Sequence, residues 1–319
     1  MNTHGPNLLI VGTGAMACLF SARFAAAGFE VTHLGTWKEG LKALDEGGVR
    51  LAEANGYEST YPVKVARDPG DCKEAHIALV LVKSWQTARV AQQLNDCLHP
   101  QGVALTLQNG LGNDTILAQT LGSERVALGV TTTGATLLSP GRVKPVGNGV
   151  IMLGDHPRLK PFIYHLTSAG FRVEVVENTS SLVWGKLVVN SAINPLTALL
   201  KVNNGTLIER SDARDLLARL GLETAAVARA HLISLPYADP VQFVEGVVLQ
   251  TAENCSSMLS DILRGRQTEV DAINGAVVRS GEKIGVPTPI NWTVWKLIKS
   301  LENVSKDEVI LKNEQLVRV

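Results

Sequence analysis

The sequence predicts an α/β N-terminal half, built on a mostly parallel sheet with a hairpin extension, followed by an all-α C-terminal half. Three observations carry this expectation. Short apolar runs rich in Val, Ile and Leu alternate with amphipathic stretches over residues 8–177, the pattern of strands buried on both faces and joined by crossover helices. A glycine-rich turn, Gly12-Thr13-Gly14, lies between the first of these runs and an apolar helix. After Asn178 the strand signal stops and Ala, Leu and Val recur at helical spacing.

Length and charge agree with two domains. At ~150 residues per domain, a chain of 319 residues divides into two, with the boundary expected in 177–181, where Asn178-Thr179-Ser180-Ser181 offers N-cap residues. The expected domains are therefore 1–178 and 179–319. Lys+Arg and Asp+Glu number 30 each, and no block of one sign provides a nucleic-acid or anionic-membrane surface. Cys18, Cys72, Cys97 and Cys255 form no C-x-x-C pair, so neither a metal site nor a disulfide framework is expected. Residues 1–7 carry no basic leader pattern, and no run reaches the ~18 apolar residues of a spanning helix. A soluble cytoplasmic protein is the expectation.

In order along the chain, strands are expected at 8–11, 30–34, 77–82, 103–107 and 126–130. Ser139-Pro140-Gly141 reads as a turn flanked by strands at 142–144 and 150–153, a hairpin extension followed by one more crossover and a last strand at 172–176. Helical periodicity covers 180–200, 206–234, 240–263 and 269–284, with Thr268 and Asp271 readable as a capping box for the last of these. The charged stretch 304–319 reads as a terminal helix or a frayed tail.

The first run leads into Gly12-Thr13-Gly14-Ala15-Met16-Ala17, and an apolar helix follows up to Gly28. This is the dinucleotide turn G-x-G-x-x-G/A in its required setting, and it makes the first domain Rossmann-type. The first glycine makes the turn, the second admits the backbone to a pyrophosphate, and the small third residue, Ala17, lets helix and strand pack. Strand two ends at Thr36-Trp37-Lys38 with no acid between Val31 and Lys38. An acid there would bind a ribose 2′-hydroxyl, whereas a cation serves a 2′-phosphate, so Lys38 favours NADP(H), although it is also readable as a solvated helix-start lysine.

A second constellation lies in 180–200. On a helix, Lys186, Asn190 and Asn194 are successive i, i+4, i+8 positions on one flank. One such residue reads as a solvated stripe. Three in register on an otherwise apolar helix, just after a dinucleotide domain, point to a polar cleft.

The segment W-x-K-L-x-x-N-x-x-x-N-x-x-T-A-L from Trp184 to Leu199 resembles the ketopantoate reductase family. Ser256-Ser257-Met258-Leu259-Ser260-Asp261, the run from Thr268 to Gly275, Lys83 after the strand at 77–82, Gln108-Asn109-Gly110 and 129–135 with Pro140-Gly141 share the resemblance, which covers 8–302 in order. It implies NADPH-dependent reduction of a 2-oxo acid, 2-dehydropantoate, to a D-2-hydroxy acid in pantothenate synthesis. By that likeness Lys186 is the general acid, and Asn190, Asn194, Asn204 and Ser257 hold substrate hydroxyl and carboxylate groups. Asn109 sits where cofactor and substrate meet, and Lys83, Ala135 and Glu269 help to hold the cofactor or the lysine.

Several of these residues have a plainer reading. Asn109-Gly110 is a common turn dipeptide, Lys83 reads as a helix-start lysine, and Ser257 alone is an ordinary helix serine. The chain departs from the family where an Arg often follows strand two and where a hairpin His is replaced by Pro145. Two alternatives to ketopantoate reduction share part of the pattern. One is a relative that reduces another branched or aromatic 2-oxo acid; the other is a non-catalytic NADP(H)-sensing protein, which would not need Lys186, Asn190, Asn194, Ser257 and Glu269 together. The expected active site lies in a cleft between the domains and takes a small-molecule substrate, with no nucleic acid, membrane or metal. An all-α domain rich in Ala and Leu is compatible with a homodimer face.

Overall fold

The computed structural model describes residues 8–53 and 55–303. The leader and tail expectations for 1–7 and 304–319 fall outside the described residues. The chain divides into two compact units. One comprises the residues up to Gln108 together with Gly112–Thr179; the other comprises Asn109–Leu111 together with the residues from Ser180 onward.

The first unit opens with β1 (Leu8–Val11), α1 (Ala15–Ala26), β2 (Val31–Leu34), α2 (Lys38–Gly47), β3 (Val49–Ala52), β4 (Glu58–Tyr61) and β5 (Lys64–Ala66). It continues through β6 (Ala75–Val80), α3 (Thr87–Cys97), β7 (Leu98–Thr106), α4 (Asn113–Leu121) and β8 (Val126–Thr131). Then come β9 (Gly134–Ser139), β10 (Arg142–Val146), β11 (Val150–Gly154), α5 (Lys160–Ser168) and β12 (Arg172–Val176).

Eight strands form one sheet in the order β12-β11-β8-β7-β6-β1-β2-β5. All neighbours run parallel except β11 and β8. The central strand shows why a bare apolar run suits this position. Leu8 and Ile10 face a cluster with Phe20, Phe24 and Phe162, while Leu9 and Val11 face Val90, Leu94 and Leu117. With side chains alternating across the sheet, both faces of β1 need apolar residues, each contributing about 1.5–3 kcal/mol by burial. Cys72 and Cys97 both enter the second of these clusters, and the Cys72 thiol donates to Pro69 O at 3.4 Å.

Four further strands form a separate sheet, β4-β3-β10-β9. Here the structure corrects the expected hairpin. β10 pairs antiparallel with β9 across the turn at Gly141, which has φ +70°, and parallel with β3. β11, the other expected partner, joins the large sheet instead. Val49, Leu51, Leu137 and Val143 of the small sheet pack against Cys18, Leu19 and Ala22 of α1.

The described part of the second unit is helical: α6 (Thr179–Leu200), α7 (Thr206–Glu209), α8 (Ser211–Ala230), α9 (Pro240–Gln250), α10 (Ser257–Leu263), α11 (Asn274–Ile284) and α12 (Pro289–Asn303). The stretches of helical periodicity at 206–234 and 240–263 are each divided between two helices, and α12 lies beyond the expected helical stretches. Only half of the capping box expected at Thr268 and Asp271 forms: Thr268 Oγ1 accepts from Val270 N at 3.1 Å, while the Asp271 carboxylate accepts from Trp295 and Lys299. α11 begins only at Asn274, and its N-cap Ile273 makes no side-chain cap bond.

α6 contains Pro195. A proline inside a helix gives no N–H to the carbonyl four residues back, which here is Ser191. The fully buried Asn274 repairs this loss, as its Nδ2 donates to Ser191 O at 2.9 Å and to Asn291 Oδ1 at 2.9 Å. No helix among the described residues is long and apolar enough to cross a membrane.

Candidate active site

In the first unit the glycine turn sits at the carboxyl ends of β1, β2 and β6. Gly12 has φ +129°, and a Cβ there would meet Leu81 O at 3.1 Å, so a side chain would be strained both by conformation and by contact. Its N–H donates to Leu34 O at 2.8 Å. Gly14 is the N-cap of α1, and no side chain caps that end. The first intrahelical bond runs from Cys18 N to Gly14 O at 2.9 Å, so the amides of Ala15, Met16 and Ala17 precede the helix's own ladder. Thr13 is buried, Ala15 and Met16 are half-buried, and Ala17 is packed in the core.

Lys38 is the exposed first residue of α2. Lys83 follows β6 and is half-buried, its carbonyl accepting from Gln86 N at 2.9 Å. Ala135 lies in β9 of the small sheet, opposite Pro145 of β10, and is half-buried against the sheet's apolar cluster. Gln108, quoted in the sequence only as part of a motif, joins two loops: its Nε2 donates to Val82 O at 3.0 Å and to Thr87 Oγ1 at 2.9 Å.

In the second unit α6 carries Lys186, Asn190 and Asn194, as the spacing predicts. Lys186 and Asn190 are half-buried and Asn194 is buried. Burial pushes the Lys186 ammonium down to about 8, while the negative charge of Glu269 acts in the opposite direction. Glu269 is itself buried, and its Oε2 accepts from Asn109 Nδ2 at 3.2 Å. Lys186, Glu269 and Asn109 thus form one electrostatic group.

Asn109 enters that group through a glycine turn. Leu111 N donates to Ala272 O at 2.9 Å. Gly110 has φ +86°, and a Cβ there would come within 2.3 Å of Ala272 O. Only glycine permits this approach.

Asn204 is buried, with Nδ2 donating to Thr251 Oγ1 at 2.9 Å and Oδ1 left without a hydrogen-bond partner. Ser257 is exposed at the first turn of α10. The preceding Ser256 caps that helix through Leu259 N at 3.1 Å and bonds Thr197 Oγ1 of α6 at 2.7 Å.

Sequence reasoning missed the support beneath Glu269. Glu302 of α12 accepts from Thr268 N at 2.7 Å and Thr268 Oγ1 at 2.6 Å. Lys299 bridges Glu302 at 2.8 Å and Asp271 at 3.0 Å, and Trp295 Nε1 donates to Asp271 at 2.7 Å. The signal was an unassigned helix thirty-odd residues downstream, which no local pattern connects to Thr268.

Two family models match in order: ketopantoate reductase PanE/ApbA over residues 8–158, and the C-terminal model of the same family over 178–302. The chain belongs to the ketopantoate reductase family. It is therefore an oxidoreductase. A 2-dehydropantoate 2-reductase of Archaeoglobus fulgidus is 34% identical, with 92% of this chain and 97% of that protein covered. Among solved structures, a ketopantoate reductase family protein of Ralstonia eutropha is 28% identical with a TM-score of 0.87, covering 93% of this chain and 98% of that one. A D-mandelate dehydrogenase complexed with NADH and anilino(oxo)acetate is 27% identical with a TM-score of 0.86 over the same shares.

Proposed function

We propose that this family member reduces 2-dehydropantoate to D-pantoate with NADPH, Lys186 acting as general acid. The observation that carries the reading is the lysine itself, held on one flank of α6 with Asn190 and Asn194 and opposed by Glu269. On this reading 1–178 is the cofactor-binding domain and 179–319 the substrate and catalytic domain.

The residues present fit a dinucleotide. A Cβ at Gly14 would meet nothing within 4 Å, so the space over the turn is open, and the uncapped amides of α1 supply donors and a positive helix end for phosphate. Gly12, Thr13, Gly14, Ala15, Met16 and Ala17 would hold the pyrophosphate, Lys38 the 2′-phosphate, and Lys83, Asn109 and Ala135 the remainder. When bound, the reduced nicotinamide supplies a hydride.

The protein's own task is to manage the charge that develops on the substrate oxygen. Lys186 donates a proton to the C2 carbonyl oxygen, a contribution of about 10²–10⁴ in rate for a placed general acid. Burial weakens its hold on that proton and Glu269 strengthens it. The resulting pKa of about 8 keeps the group protonated at neutral pH and still ready to donate. After transfer the neutral amine regains a proton from solvent. Asn190, Asn194 and Asn204 orient substrate oxygens without adding charge, and the Ser257 hydroxyl donates to the substrate carboxylate.

A second reading has its own support. Similarity to the D-mandelate dehydrogenase is as extensive as that to the Ralstonia eutropha protein, and that enzyme's complex contains NADH and the aromatic anilino(oxo)acetate, which favours testing NADH and aromatic 2-oxo acids. The deciding experiment follows oxidation of NADPH and of NADH with 2-dehydropantoate, phenylglyoxylate and small branched 2-oxo acids. The first reading expects the highest kcat/KM with NADPH and 2-dehydropantoate. Brisk turnover of phenylglyoxylate with none of 2-dehydropantoate would transfer the assignment to the second.

A further inference from the structure

The first unit contains a buried histidine for which the proposed reaction has no use. His33 of β2 is fully buried, as is Ser21 of α1. His33 Nδ1 lies 2.9 Å from Gly12 O, and its Nε2 bonds the Ser21 hydroxyl. A carbonyl only accepts, so Nδ1 must carry the hydrogen and Nε2 must take the Ser21 proton. Burial lowers the ring pKa to about 4, so the imidazole stays neutral and this tautomer holds.

The next peptide is tethered in the same way. The buried Cys18 thiol donates to Thr13 O at 3.7 Å, and burial pushes that thiol up to about 12, which keeps it protonated and able to donate. In a planar trans peptide the C=O of one residue and the N–H of the next point in opposite directions. Drawing the carbonyls of Gly12 and Thr13 towards β2 and α1 therefore turns the N–H groups of Thr13 and Gly14 the other way. Two outward N–H groups in succession, just ahead of an uncapped helix end, make an anion-binding concavity.

We infer that His33 and Cys18, with Ser21 behind the imidazole, are positioning residues that hold two consecutive peptide planes with their N–H groups presented to the pyrophosphate of the dinucleotide. The inference rests on the proposed cofactor reading. It goes beyond the glycine pattern by naming what fixes the plane of each peptide. Glycine permits the conformation at residue 12, and the imidazole selects it.

Calorimetric titration of NADPH into the purified full chain tests the assignment, with melting temperature and far-UV circular dichroism recorded for each variant. His33→Phe keeps volume but removes both hydrogen bonds, and is expected to weaken NADPH binding about tenfold, the cost of one buried polar contact left unmade. His33→Asn retains a donor near the Nδ1 position and is expected to stay within about threefold of wild type. Cys18→Ala and Ser21→Ala are expected to weaken binding about two- to fivefold, since a thiol is a weak donor and the serine acts through the ring. In steady-state kinetics the KM for NADPH should rise while the KM for the 2-oxo acid does not, a split that loss of stability alone would not produce.

Wild-type affinity in a folded His33→Phe variant overturns the assignment. Should that variant not fold, wild-type affinity in both Cys18→Ala and Ser21→Ala overturns it. Failure of the unmodified protein to bind either NADPH or NADH rejects the cofactor reading itself, and the positioning role with it.

Discussion

Asn109 and Glu269, 160 positions apart in the chain, are joined by a hydrogen bond from Nδ2 to Oε2 at 3.2 Å. The contact fixes a buried carboxylate whose charge acts on Lys186 against the effect of burial. Replacing that carboxylate with an amide should therefore lower the lysine pKa from its value of about 8. Reduction needs the protonated acid, so kcat is expected to be flat below that pKa and to fall above it. In Glu269→Gln the falling limb should move to lower pH. A pH–rate profile of the variant with its limb unmoved would separate Glu269 from the lysine.

Lys186→Ala should reduce kcat by about 10²–10⁴, with NADPH affinity within about threefold of wild type, a binding difference below 1 kcal/mol. The two quantities are read by single-turnover kinetics and by calorimetry. An unchanged rate would remove Lys186 as the acid.

Gly110→Ala should be costly. The position combines φ +86° with a Cβ site 2.3 Å from Ala272 O, so the substitution strains the backbone and pushes apart the contact that delivers Asn109. We expect a loss of about 2–3 kcal/mol in urea unfolding, together with reduced activity.

Asn274 and Pro195 should show coupling. Asn274→Ala leaves Ser191 O and Asn291 Oδ1 without the donor they now share, at an expected cost of about 2–4 kcal/mol. With Pro195→Ala the helix regains its own N–H for Ser191 O, so the same asparagine substitution should cost about 1 kcal/mol less in that background. Equal costs in both backgrounds would show that the amide does not replace the missing helix bond.

Lys38→Glu tests the choice of cofactor. If Lys38 meets the 2′-phosphate, its reversal should raise the KM for NADPH about tenfold, with a much smaller effect on NADH. A parallel rise for both cofactors would indicate a role common to the two.

What was legible in the sequence had short-range causes. The glycine turn, β1 and α1 are encoded within some twenty residues, and Lys186, Asn190 and Asn194 share a flank because helical spacing alone dictates it. The parts that escaped depend on distant partners. β4 alternates exposed and half-buried residues and contains no strong apolar run, and β3, beside it, pairs with β10 from nearly a hundred residues away. The turn at 139–141 is local and legible, but the strand at 150–154 pairs antiparallel with β8 of the large sheet, a partner that proximity in sequence does not name. Thr268 and Asp271 have the composition of a capping box. Thr268 Oγ1 keeps its half of the cap by accepting from Val270 N, but its proton goes to Glu302 and the Asp271 carboxylate goes to Lys299 and Trp295 of α12, partners that only tertiary structure brings.

The tripeptide Asn109–Leu111 packs with the second unit although the residues on either side of it belong to the first. The point of separation near residue 180 is therefore not a clean seam for dissection. A C-terminal fragment expressed from that point would leave the Glu269 carboxylate without its amide donor and Ala272 O without Leu111. A chimera that grafts the C-terminal half of a relative onto this N-terminal half must bring that relative's own equivalent of Asn109–Leu111 with it. The heritable unit of the proposed active site is thus a discontinuous one, a long helical segment and three residues spliced in from upstream.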